Sequence, residues 1–353
     1  MDRRSGSTAR LQCIRCRIPG DGDEQPAHRV PTVNSAPAAA TGRGRTDSVP
    51  NDFPTSPMTP FSLFLVILVP FIWGMQAVML KIGLHQFPPI FMVGMRFVMM
   101  SVILLPFLRG IRGKTGPALM VSLTQGVAHF ALLYIGFRYV DVSTGIIAYQ
   151  TNAIFTVILG AILLREQITR LGMLGIFVAF AGVSLIVGEP KSSGSAASLF
   201  IIIGSAFMFA VGNIVARRFG PMKPAALNAV VSLAAGPSLL LISLMFEHGQ
   251  WEAVQHADWV GWSALMYTVL AGGIAGFGIW YWLLNRYPVD KIAPFGLLMP
   301  FFAMLGSVFL LQEHITVMNI IGAVLTVLGV AIAQFGKTLA GWFTRSAVLA
   351  KAN

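Results

Sequence analysis

Leu163-Leu164-Arg165-Glu166-Gln167-Ile168-Thr169 returns further along the chain as Leu310-Leu311-Gln312-Glu313-His314-Ile315-Thr316. The offset is constant: 313−166, 322−175 and 329−182 are all 147, so Gly175 and Gly182 fall opposite Gly322 and Gly329. The first copy closes the fourth long apolar run and the second closes the ninth. Five runs per copy is an odd number, so two copies in one bilayer must cross it in opposite senses. Inverted repeats of this kind build secondary transporters, whose sites lie near the midplane where the repeats meet.

Composition agrees that lipid is the solvent. Of 353 residues, 55% are hydrophobic and only 11% charged, and the mean hydropathy is +0.72. A water-soluble domain carries about 25% charged residues. The net charge of +11 and pI near 10.2 do not indicate nucleic acid, because the positive charges are spread over loops and an N-terminal tail. The two cysteines, Cys13 and Cys16, both lie in that tail, so no disulfide framework is expected, and a lone C-x-x-C is a weak metal or redox signal. Residues 1–57 are rich in Arg, Pro, Ser and Gly and lack the apolar stretch of a signal peptide. They are expected to be a disordered tail, or to precede the true start at Met58.

From Pro60 onward, segments of about 20 apolar residues, enough to cross the hydrocarbon core, recur between short polar breaks. The predicted spans are 60–81, 89–109, 117–138, 142–164, 169–188, 196–216, 225–246, 262–285, 290–311 and 316–336. Hence the expected fold is all-α and integral to the membrane. Its ten helices form a first repeat over 58–190 and a second over 191–336, followed by a C-terminal tail over 337–353. Placing the N-terminus in the cytoplasm puts Arg109, Arg112, Lys114, Arg165, Arg170, Arg217, Arg218, Lys223, Arg286, Lys291, Lys337, Arg345 and Lys351 inside. Only Lys81, Arg138 and Lys191 are then outside. The excess predicts that both termini are cytoplasmic.

Polar groups inside spans are costly and mark cavities or interhelical contacts. Trp73 and Gln76 are three apart in the first span; Gln125 and His129 are four apart in the third, so each pair shares a helix face. Tyr149, Gln150 and Asn152 fall in the fourth span, Asn213 in the sixth, and Trp280 with Tyr281 in the eighth. These residues are candidates for a substrate cavity, although amides and aromatics also serve as plain interhelical contacts. His129 is the ionisable group nearest a span's centre, able either to exchange a proton or to bond as a neutral ring. Arg96 lies too deep to snorkel and is expected to pair with a carboxylate or with carbonyls, in a structural role. Glu166 and Glu313 precede a helix each, where an anion complements the N-terminal dipole, so both are expected to cap. Pro300 breaks the ninth span near its middle and is a candidate hinge. Gly272 and Gly276 predict close packing within the bundle. No catalytic pair, metal site or cofactor motif is evident.

Trp73-Gly74, Lys81-x-Gly83-Leu84, Pro88-Pro89 with Arg96-Phe97, and Phe155-Thr156 through Leu159-Gly160 form one set of motifs. Gly212-Asn213, Gly278-Ile279-Trp280, Arg286-Tyr287, Ala293-Pro294, Pro300 and Glu313 form a second. On these residues, the chain from about Met58 to Phe335 resembles the EamA-like transporters of the drug/metabolite transporter superfamily, in particular the bacterial exporters of O-acetylserine and cysteine. The resemblance implies export of small amino-acid-type metabolites across the inner membrane, with protons as the coupling ion. Gln76 and His129 stand where those exporters carry an Asn and a Gln, and Asn152 also replaces a Gln. These differences leave the substrate open. Two other readings stay open: a broad-specificity exporter of drugs or hydrophobic solutes, and an intramembrane enzyme. The enzyme would need an acid–base pair or metal ligands within reach of each other. Oligomeric state is not encoded in any feature above.

Overall fold

The computed structural model describes residues 58–352 except 112, 188–195, 221 and 288, with side chains up to Gln334 apart from 289, 290 and 293. The tail over 1–57, with Cys13 and Cys16, lies outside the described residues. Among the described residues every regular element is helical.

Ten helices are long and apolar enough to cross a membrane: Pro60–Leu84, Pro89–Ile111, Thr115–Tyr139, Val142–Leu163, Arg170–Val187, Ala196–Arg218, Pro224–Phe246, Trp259–Leu284, Pro294–Leu311 and Val317–Gln334. They are called spans one to ten. All ten predicted segments are present. The last helix continues past its span, through residues 337–352, to Ala352.

Helix contacts obey the repeat. Span one packs on spans eight and nine, and span six on spans three and four. Span two packs on span seven, and span five on span ten. Exchanging each span for its counterpart five places on maps this set onto itself, as a two-fold relation within the bilayer plane requires. The glycines singled out by the repeat meet at one crossing. A Cβ on Gly175 would lie 2.6 Å from the Gly329 carbonyl oxygen, and one on Gly182 2.7 Å from that of Gly322. Spans five and ten therefore touch backbone to backbone, which only small residues permit. Large apolar side chains such as Phe177, Phe246 and Phe309 are more than two-thirds exposed, a surface suited to lipid rather than water.

The duplicated motif forms the same turn twice. Arg165 and Gln312 are left-handed, at φ 57° and 54°. The Glu166 amide then reaches the Gly160 carbonyl at 3.3 Å, and the Glu313 amide the Ser307 carbonyl at 3.2 Å. The expectation that each Glu caps the following helix is corrected. Thr169 accepts from the Gly172 amide at 3.0 Å, and Thr316 from the Asn319 amide at 3.1 Å, so the threonines of the motif cap spans five and ten. Because the left-handed residue reverses the chain, both carboxylates turn across to a neighbouring helix. Glu313 accepts from the Val142 and Ser143 amides at 2.6 and 3.0 Å, capping span four of the other repeat. Glu166 instead pairs with Arg217 at the end of span six.

Charge-on-helix-end contacts gather at the Glu313 end of the bundle. Glu247 accepts from the Ile90 and Phe91 amides at 2.8 Å each, and Lys81 donates to the Phe137 and Val140 carbonyls at 2.8 and 2.9 Å. Arg138 donates to the Leu84 carbonyl. Each places a charge against the helix dipole of opposite sign; together with Glu313 they tie span one to span three, and spans two and four to the second repeat. The end bearing Glu166 has the half-exposed Arg217 pair and Lys114 donating to the Phe219 carbonyl at 3.2 Å.

Candidate functional site

Two helices break at matching points. Span four is helical over Val142–Tyr149 and again over Thr151–Leu163, with Gln150 a turn between them. In span nine a tight 3₁₀ stretch, Ala293–Leu298, precedes the regular helix Met299–Leu311. Gln150 and Leu297 are themselves 147 apart (297−150). The Tyr149 and Ala148 carbonyls near the break are taken by Asn152 Nδ2 at 2.6 Å and Thr151 Oγ1 at 2.7 Å, so side chains satisfy backbone groups that lipid could not. Pro300 sits in the first turn of Met299–Leu311, so the irregularity lies ahead of the proline and not at mid-helix.

Spans three and eight widen instead of breaking. Ser122–His129 and Thr268–Ala275 are π-helical, again at equivalent places. Such turns are rare and tend to mark functional sites, because they misalign carbonyls and re-aim side chains. Trp73 Nε1 donates to the Gly272 carbonyl at 3.2 Å and Asn228 Nδ2 to that of Gly273 at 3.2 Å. Gly272 and Gly276 thus receive span one, as their spacing suggested: a Cβ at Gly272 would lie 1.7 Å from Gln76 Oε1, and one at Gly276 2.7 Å from Trp73 Nε1.

Between these elements lies a cavity of about 370 Å³, within the roughly 300–1,000 Å³ range of small-molecule sites. It brings together Trp73, Gln76, Arg96, His129, Tyr149, Gln150, Asn152 and Trp280 from five spans. Toward the Glu313 end the lining stops at Leu80, Phe137 and Ile146; toward the other end it reaches Gly296 and Gln334, the last residue of span ten. Gln125 and Asn213 are absent from the lining. Gln125 Nε2 donates to Asn213 Oδ1 at 2.7 Å and to the Phe209 carbonyl at 3.1 Å, and Asn213 Nδ2 reaches Thr156 Oγ1 at 3.3 Å. They form a bridge among spans three, six and four.

An aromatic group forms part of the cavity. Trp73 lies 5.2 Å from Phe277 and 5.5 Å from Trp280 by ring centroids. His129 stacks on Tyr149 at 5.6 Å and meets Phe130 and Phe209 edge-on or tilted, at 4.5 and 5.0 Å. Its Nδ1 is 3.1 Å from the Ser205 carbonyl oxygen and 2.8 Å from the Ser205 hydroxyl. Both contacts hold Nδ1 on Ser205, and Nε2 has no partner among the described residues. Arg96 is corrected in its partners. Among the described residues neither a carboxylate nor a carbonyl holds it. Its Nη1 is 3.4 Å from the Tyr134 hydroxyl, and its guanidinium lies 4.7 Å from the Phe130 ring and 5.6 Å from that of Phe97. Aromatic faces supply part of the stabilisation that an acid would have supplied.

Phe209, Phe277 and Gln334 were not singled out from sequence. Phe209 had a signal, four residues before Asn213 on one face. A phenylalanine among 25 in an apolar chain carries no mark of its own.

The family model for the EamA-like transporter family matches residues 60–188 and 196–334, one copy per repeat. The chain belongs to the EamA-like transporter family. It is a multi-pass membrane transporter of two five-helix inverted repeats. A Salmonella typhimurium protein named probable amino-acid metabolite efflux pump is 31% identical over 283 residues, covering 77% of this chain and 94% of that one. The Escherichia coli protein of the same name is 29% identical over 281 residues, with the same coverage of each chain. Bacillus subtilis YoaV, named an uncharacterized transporter, is 26% identical over 284 residues, 76% of this chain and 95% of its own. One solved crystal structure, 16% identical, superposes with a TM-score of 0.55 over 78% of this chain and 97% of that one, a likeness of fold.

Proposed function

We propose that the protein exports small amino-acid-type metabolites, of the size and polarity of O-acetylserine and cysteine, across a bacterial inner membrane by alternating access. The observation that carries the reading is the cavity itself: walled toward the Glu313 end by the buried Leu80, Phe137 and Ile146, seated between matching helix breaks and mixing neutral amides with aromatic faces. Kinship to the two amino-acid metabolite efflux pumps supports the substrate class. The excess of Lys and Arg at the Glu166 end supports cytoplasmic termini. On that orientation the exposed Gln334 at the cavity's edge lies on the cytoplasmic side, the side on which an exporter loads.

Protons are the proposed coupling ion. Among the cavity residues His129 is the side chain whose ordinary titration range lies nearest neutrality, and its Nε2 is free of any partner among the described residues. A second reading, export of hydrophobic solutes, is favoured by the aromatic share of the wall, with Phe130, Phe137, Phe209 and Phe277 present. Counterflow in proteoliposomes decides between them. Labelled cysteine, O-acetylserine and threonine are expected to exchange; exchange of a lipophilic cation with none of the three sinks the amino-acid reading.

A further inference from the structure

Arg96 is 1% exposed, sits seven residues into span two and lines the cavity. A guanidinium has five N–H donors and stays charged at any physiological pH. Among the described residues it makes one hydrogen bond, the 3.4 Å contact to the Tyr134 hydroxyl, itself near the limit of a bond. Nε is fully buried with no acceptor, and no Asp or Glu among the described residues pairs with the group. Its stacking on Phe130 and Phe97 offsets part of the charge but takes none of the N–H donors. A permanent cation in the hydrocarbon layer with most donors idle is costly, and such residues face a pathway or a partner.

Glu313 is spent on the amides of span four, Glu247 on those of span two, Glu166 on Arg217 and Asp258 on Gln86. No described Asp or Glu lines the cavity beside Arg96, so an anion that compensates it has the cavity as its route. The rest of the lining is suited to the other end of a zwitterion. Trp73 and Trp280 offer π-faces to an ammonium group, and Gln76 and Gln150 carry amide oxygens that accept.

We propose that Arg96 is the carboxylate receptor of the cavity, so that the transported compounds bear a free carboxylate. The proposal rests on the cavity being the transport site and narrows its substrate class. Arg, unlike Lys, presents paired N–H groups matched to the two oxygens of a carboxylate. A structural arginine, the expectation from sequence, would have its donors filled by the protein.

The test is counterflow in proteoliposomes with three matched sets. L-cysteine and O-acetyl-L-serine carry carboxylate and amine; lactate and N-acetyl-L-cysteine carry carboxylate without a basic amine; the methyl esters and carboxamides of cysteine and serine carry amine without carboxylate. Wild type is expected to exchange the first set at least about tenfold better than the third, the range for a charged hydrogen-bond pair. Arg96→Gln is expected to bring the acids down to the level of the esters, while exchange of the esters falls much less. Arg96→Lys should restore part of the acid preference. The wild-type melting temperature, which needs no variant to fold, should rise with the acids and not with the esters. Equal exchange of acids and esters by wild type, or an acid preference kept by Arg96→Gln, overturns the proposal. Preference for the second set over the first overturns the amino-acid reading while leaving Arg96 in its role. Exchange of none of the three overturns both.

Discussion

The Glu313 carboxylate accepts from the Val142 amide at 2.6 Å, joining residues 171 apart in sequence and belonging to opposite repeats. Its twin in the duplicated motif, Glu166, makes a half-exposed ion pair with Arg217. The same residue in the same turn thus does different work at the two ends of the bundle. One is a part-buried, charge-assisted cap with two donors; the other is screened by solvent.

Replacing the two glutamates should separate these roles. Glu313→Gln keeps the shape but removes the charge from the cap, and should cost about 1–2 kcal/mol. Glu166→Gln should cost less than about 1 kcal/mol, as exposed pairs do. Thermal unfolding of the two variants in detergent measures the difference, and equal losses would contradict the assignment of the cap.

Asp141 gives the same end of the bundle a pH dependence. Burial and then the neighbouring Glu313 carboxylate push it above the usual carboxylate range, with Lys81 opposing. The folded protein therefore holds this proton more tightly than the unfolded chain. Its contribution is greatest when protonated and declines as pH rises from the ordinary carboxylate value through the raised one. Asp141→Asn removes the ionisation, so it should raise the melting temperature at neutral pH and flatten the decline that sets in above the ordinary carboxylate range. A melting series that keeps its slope would remove Asp141 as the source.

Much of this architecture is legible in the chain because lipid enforces it. Ten apolar runs, an odd number per copy and a strict 147-residue offset leave one arrangement in which backbone groups are satisfied and the repeats invert. The site was legible in part. Trp73, Gln76, His129, Tyr149, Gln150, Asn152 and Trp280 meet in one cavity because polar or amphipathic groups inside a span have few other places to go. Gln125 and Asn213 have the same character yet satisfy each other, and nothing in composition distinguishes a self-paired amide from one facing water. The motif's division of labour was hidden too: Thr169 and Thr316 cap the following helices, because the left-handed residue turns each Glu away.

His129 is the test of proton coupling. Nδ1 is fixed on Ser205 and Nε2 is without a partner among the described residues, so Nε2 is the atom through which the ring would exchange a proton. His129→Gln keeps an amide in place of the ring and removes titration. It is expected to reduce proton-driven uphill export by a clearly larger factor than it reduces counterflow, which needs no net driving force. Export that retains its full dependence on an imposed pH gradient would exclude His129 as the coupling group.

Glycines at two kinds of contact should respond differently to a single added methyl group. At Gly272 a Cβ would lie 1.7 Å from Gln76 Oε1, and at Gly212 2.3 Å from Gln125 Cγ. These are long side chains that can rotate away, so Gly272→Ala and Gly212→Ala should leave a folded protein. Moving Gln76 changes the cavity wall, whereas Gln125 lies outside it, so Gly272→Ala should lower transport the more. At Gly175 a Cβ would lie 2.4 Å from the Ala333 amide nitrogen, and at Gly329 2.3 Å from that of Ala179. Backbone cannot rotate aside, and relief requires spans five and ten to part along their length. Gly175→Ala and Gly329→Ala should each cost about 1–3 kcal/mol or more, read as a loss of monodisperse protein on size-exclusion chromatography. Wild-type yield from these two variants, with loss of yield from Gly272→Ala, would invert the order and refute the backbone contact between the repeats.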